Sequence, residues 1–64
     1  MVKITLRAAR VNKGISQREA AQLLNVSKKT FSNWENGKTM PKLDKIEPLC
    51  EMLDVQYNDI RWRV

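Results

Sequence analysis

Between Ser16 and Gly37 the chain carries start and stop signals so closely spaced that only two short helices joined by a sharp turn can satisfy them all. Ser16 with Glu19 forms an S-x-x-E capping box, in which hydroxyl and carboxylate each take up a backbone N–H that an α-helix leaves unpaired. Asn25 follows as a residue that tolerates the left-handed conformation of a tight turn. Two residues later Ser27 caps a second helix, which Gly37 ends as the residue just beyond the C-cap, a bracket of roughly nine residues. At about 100° per residue, Phe31 and Trp34 share one side of that second helix. Lys29, Asn33 and Asn36 fall close to the opposite side, with Lys28 and Ser32 on a flank. One face is oily and the other can hydrogen-bond. Val26, in front of the cap, is placed to staple onto Phe31, and Ala20, Ala21 and Leu24 give the first helix an inward stripe that permits close helix approach.

Small residues in the first helix, a left-handed turn residue, then apolar Val26, Phe31 and Trp34 make a helix-turn-helix pattern over residues 17–36. The segment GISQREAAQLLNVSKKTFSNWENGKTMP resembles the core of the Cro and phage-repressor family, also called the XRE family, of bacterial DNA-binding regulators. The resemblance covers about Thr5 to Ile60, and its specificity lies in the combination of S-Q, V-S at the turn and W-E-N-G-K after the second helix. It implies an all-α fold: a compact, lambda-repressor-like bundle of about five short helices, a single domain over residues 1–64, with helices 2 and 3 as the helix-turn-helix.

Sixty-four residues suffice for one small domain that buries only about 60% of its unfolded surface. One cysteine allows no internal disulfide, and the absence of histidine removes the commonest metal ligand and general base. No metal, cofactor or small-molecule ligand is expected. With no apolar run near the roughly 20 residues of a membrane span and no leader-like segment, the expected setting is cytoplasmic, in a bacterial cell or a phage-infected host. Charge is uneven. Met1 to Lys42 holds nine Lys or Arg against two Glu, a net of +7, while Leu43 to Val64 holds three against five, a net of −2. The first part suits a polyanion, although charge alone also fits a merely solubilising surface.

Thr5 is expected to cap helix 1, which runs to about Lys13 with Gly14 beyond it and Leu6 and Ala9 inward. Glu35 lies about 40° around its helix from Phe31, at the edge of the buried face, where a carboxylate needs a partner. Arg10 is the expected partner, and the resemblance implies a partly buried Arg10–Glu35 ion pair; the alternative for Arg10 is a direct phosphate contact. Ile46, Leu49, Cys50 and Leu53 read as the core stripe of a fourth helix. Asp44 and Glu47 suggest its capping box, which puts Pro48 in the first turn and predicts an irregular start, with Leu43 and Pro48 stapling across it. A last helix is expected around Asn58 to Trp62, with Ile60 and Tyr57 inward. Trp62 has two readings, folding back on the core or anchoring a dimer contact.

By resemblance, Lys28, Lys29 and Asn33 match base-reading positions, with Ser32 adjacent and Ser27 near the groove. Lysine can donate to guanine and asparagine can pair with adenine, so the chemistry suits the role. Gln17, aided by a helix N-terminus, and Asn36, Lys38 and Lys42 are expected to hold phosphates; for the two lysines an ordinary basic loop is the alternative. The implied function is sequence-specific binding of double-stranded DNA as a transcriptional regulator, a Cro-like or short phage or prophage repressor, homodimeric on an inverted-repeat operator. A protein-interaction module on the same fold, such as an antitoxin or anti-repressor, is the competing class. An enzyme is disfavoured, since no paired carboxylates can be placed in a cleft and Ser16 and Ser27 are accounted for as caps.

Overall fold

The computed structural model describes residues 3–62. In chain order these form β1 (Ile4–Thr5), α1 (Leu6–Asn12), α2 (Gln17–Leu23), α3 (Lys28–Glu35), α4 (Leu43–Leu53), a single 3-10 turn (Tyr57–Asp59) and β2 (Ile60–Arg61). Caps set the first three helices. Thr5 accepts from Ala8 N–H, Ser16 and Glu19 close their reciprocal box, and Ser27 accepts from Thr30 N–H. All four helices end the same way, with a left-handed residue: Gly14, Asn25, Gly37 and Asp54. In each, that residue and its successor donate back to carbonyls three and five residues earlier, as in Gly37 to Trp34 and Lys38 to Asn33, so orphan carbonyls are paired.

One core fills the space between the helices. Leu6 and Ala9 of α1, Ala20, Ala21 and Leu24 of the α2 segment, Phe31 and Trp34 of α3, Leu49 and Leu53 of α4, and Ile60 of β2 are buried together. The alanines let α3 sit close to α2, and Phe31 meets Trp34 at 5.7 Å between ring centroids, tilted by 59°. Val26 packs at the edge of this core, in the position expected of the staple residue. Lys45 Nζ donates to the Leu24 carbonyl at 2.8 Å, tying α4 to the end of α2.

The C-terminal part differs from the sequence reading in three ways. Instead of a fifth helix over 58–62 there is one 3-10 turn, after which Ile60 and Arg61 pair in parallel with Ile4 and Thr5. So short a segment gains too few internal hydrogen bonds to nucleate a helix, whereas Ile60 in extended form is buried and gives β1 a partner. Tyr57 is about half exposed, not inward. Trp62 folds back on its own chain: its Nε1–H donates to the Tyr57 carbonyl at 3.3 Å and its ring lies 5.5 Å from that of Tyr57.

Helix α4 starts earlier than expected. Lys42, not Asp44, is the N-cap, and the Lys45 and Ile46 N–H groups both donate to the Lys42 carbonyl. Pro48 therefore lies in the helix interior, and the helix runs on through it without an irregular first turn. Asp44 and Pro48 are both exposed, so the Asp44 carbonyl deprived of its donor lies on the solvent side, where the loss is least costly. Leu43 and Pro48 form no staple; Leu43 is 87% exposed. Of the expected α4 stripe, Leu49 and Leu53 are buried and Ile46 and Cys50 only half so.

Candidate nucleic-acid interface

The orientation of α3 is held by a buried polar network that joins three helices. Arg10 Nε of α1 donates to Glu35 Oε2 at 2.5 Å, and Arg10 Nη1 donates to the Ile15 carbonyl at 2.8 Å. Gln17 Nε2, in the first turn of α2, donates to the other carboxylate oxygen of Glu35 at 2.7 Å. With side chains only 11% and 3% exposed, Arg10 and Glu35 form a desolvated pair in which both Glu35 oxygens accept and Arg10 donates two of its five N–H groups. Arg10 thus has the pairing role, since its Nε and one terminal nitrogen are committed within the fold. Gln17 spends one amide N–H on Glu35, which leaves one N–H and its carbonyl for anything outside.

Beyond this network α3 presents the expected polar face. Lys28, Lys29 and Asn36 are exposed, while Ser32 and Asn33 are half-buried beside them. The helix opens with two lysines and has no acidic residue in its first turn, although negative charge is what the positive end of a helix dipole favours. Stability of the helix does not explain that choice.

Two of the serines are partly committed. Ser27 Oγ accepts from Thr30 N–H and donates to Thr30 Oγ1 at 2.8 Å, so its only hydroxyl proton is in use. Ser32 Oγ accepts a long 3.4 Å contact from Asn36 Nδ2, leaving its own proton free to donate. After α3 the Gly37 turn reverses the chain and places exposed Lys38 directly past the helix end. Exposed Lys42 follows as the extended N-cap of α4.

Arg7 and Arg18 were not singled out by sequence reading. They line, together with Arg10, Gln17 and Lys28, a notch of about 410 Å³ that contains no carboxylate on its rim. The signal was local: Arg7 is one turn before Arg10 on α1, and Arg18 adjoins Gln17. No helix among the described residues is long and apolar enough to cross a membrane.

No curated protein matches the chain. The sequence profile of the helix-turn-helix family matches residues 6–60, which takes in all four helices and their shared core. With the capped helix pair, the left-handed turn at Asn25 and the cationic outward face of α3, that match places the chain in the helix-turn-helix family of Cro/XRE-type DNA-binding transcriptional regulators.

Proposed function

We propose that this DNA-binding regulator is a Cro-like or short phage-type repressor that reads an inverted-repeat operator as a homodimer. In this reading α3 lies in the major groove. Lys28, Lys29 and Asn33 read base edges, with Ser32 a donor beside them and Ser27 an acceptor at the groove wall. Gln17, Asn36, Lys38 and Lys42 hold backbone phosphates, and Arg7 and Arg18 extend that set along the notch beside α2. The observation that supports it most is the lysine-rich, acid-free outer face of α3, held in a fixed orientation by the Arg10–Glu35–Gln17 network. A single domain of this size contacts too little DNA to be selective. Two copies on half-sites centred about 10 base pairs apart, or a small multiple, double the contact.

The test is selection of duplexes from a random pool at about 0.15 M salt, followed by a salt titration on the enriched sequence. An inverted repeat whose affinity falls about a thousandfold between 50 and 200 mM salt is the expected result, because the phosphate contacts of two protomers release many counterions. Asn33→Ala should then weaken the matched operator by about 1–3 kcal/mol and scrambled DNA hardly at all, whereas Lys38→Ala should weaken both alike. Equal losses on both duplexes for Asn33→Ala remove the base-reading assignment. A pool without enrichment removes the operator itself and leaves the protein-interaction class standing.

A further inference from the structure

On the C-terminal side, α4 and the 3-10 turn leave between them an open groove of about 760 Å³. Its floor is apolar: Ile46, Cys50 and Val55 are half-buried there, Leu43 stands 87% exposed at one end and Tyr57 47% exposed at the other. The walls carry Glu47, Glu51, Asp54 and Asp59, four of the chain's seven carboxylates, and no lysine or arginine lines the groove. Glu47 and Glu51 have no ion-pair partner among the described residues; Asp54 has only a loose contact with Lys13 at 3.9 Å, and Asp59 Oδ2 accepts from Gln56 N–H. Burial, and secondarily the neighbouring Asp59, pushes the Cys50 thiol upward, so it remains an uncharged part of the floor.

An exposed leucine and tyrosine at the ends of a half-buried apolar floor are what an interface anchor requires, and the unpaired carboxylates fix the sign of the partner. Nucleic acid is repelled by that sign, and none of the residues assigned above to DNA lines the groove. A second copy of this chain applied across a two-fold axis would set the same four carboxylates against themselves, eight like charges around one apolar seam. We propose that the groove docks a basic amphipathic helix of another protein, one that inserts leucine-sized side chains over Ile46, Cys50 and Val55 and sets lysines or arginines against Glu47 and Glu51. The groove shares no residue with the operator face, and the two come nearest where Leu43 follows the phosphate-holding Lys42.

The whole chain, 15N-labelled, is titrated with a synthetic Leu/Lys peptide whose leucines follow helical i, i+3, i+4, i+7 spacing, with a scrambled peptide of equal composition as control. Saturable shifts grouped on Ile46, Cys50, Val55 and Tyr57 are expected, with the scrambled peptide at least about tenfold weaker. Leu43→Ser should weaken binding about tenfold and the pair Glu47→Gln with Glu51→Gln about fivefold. All three positions are exposed, so these variants should keep the wild-type circular dichroism spectrum. Equal binding of the scrambled peptide, shifts spread over the whole surface, or indifference to Leu43→Ser overturns the proposal. So do groove shifts that grow with protein concentration in the absence of peptide, which would make the occupant a second copy.

Discussion

Replacing Arg10 with methionine tests whether the network around Glu35 sets the orientation of α3. The substitution keeps the apolar stem and removes the guanidinium, leaving a carboxylate whose side chain is 3% exposed with Gln17 as its one remaining partner. Breaking one side of a buried pair costs about 3–5 kcal/mol, because the surviving charge stays desolvated. A chain of this length has roughly 3–10 kcal/mol in total, so the variant should lose about a third of its stability or more. At about 4–8 °C per kcal/mol, the melting temperature should fall by at least about 12 °C. Glu35→Leu should behave alike. The double variant Arg10→Met/Glu35→Leu removes both charges and leaves only the Ile15 carbonyl and the Gln17 amide without their partners, at about 1 kcal/mol each.

The double variant should therefore be more stable than either single one, with a coupling of at least about 3 kcal/mol in urea unfolding followed by circular dichroism. If a single variant is unfolded at 25 °C, recovery of the helical signal in the double variant reports the same coupling. Operator affinity should fall further on matched than on scrambled DNA in the double variant, because base contacts depend on the orientation of α3 more closely than phosphate contacts do. Single losses below about 1 kcal/mol that add without coupling would refute the reasoning: the pair would then be behaving as an exposed salt bridge.

Two further outcomes follow from backbone and thiol chemistry. Asp54 holds a left-handed φ of 56° with only the loose Lys13 contact, so Asp54→Gly should raise stability by about 0.5–1 kcal/mol, read as a higher melting temperature; an unchanged or lower one would mean the aspartate side chain is needed there. Burial, and then Asp59, raise the Cys50 thiol above the ordinary thiol value, so the folded state favours the neutral form. Its stabilising effect is complete below the ordinary thiol pKa and is lost as pH rises through the folded value. Cys50 should react with iodoacetamide more slowly than an unfolded control at pH 8 and approach it only at higher pH; equal rates at pH 8 would remove the shift.

What was legible in the sequence was whatever is decided within one turn of chain. Ser16 with Glu19, Ser27, Gly14 and Gly37 act on hydrogen bonds three to five residues away, and the helix bounds they announced are the ones found. The Arg10–Glu35 pair was reachable because a helical wheel sets Glu35 close to Phe31, at the edge of the buried face, and a carboxylate there demands a partner. Gln17 was not, because its bond to Glu35 depends on how α2 crosses α3. The C-terminal part failed for the same reason. Asp44 and Glu47 satisfy the spacing of a capping box, yet α4 starts at Leu43, with Lys42 as its N-cap and Lys45 reaching across to Leu24. Ile60 and Arg61 are strand because Ile4 and Thr5, more than fifty residues earlier, lie alongside. Charge shows the difference most sharply. The C-terminal part, at −2 overall, looks nearly neutral as a sequence, yet folding gathers four of its carboxylates around one apolar groove and leaves Lys45 and Arg61 off its rim. A net charge counted along the chain averages over surfaces that face different partners, and only the fold separates the cationic face of α3 from the acidic groove beside α4.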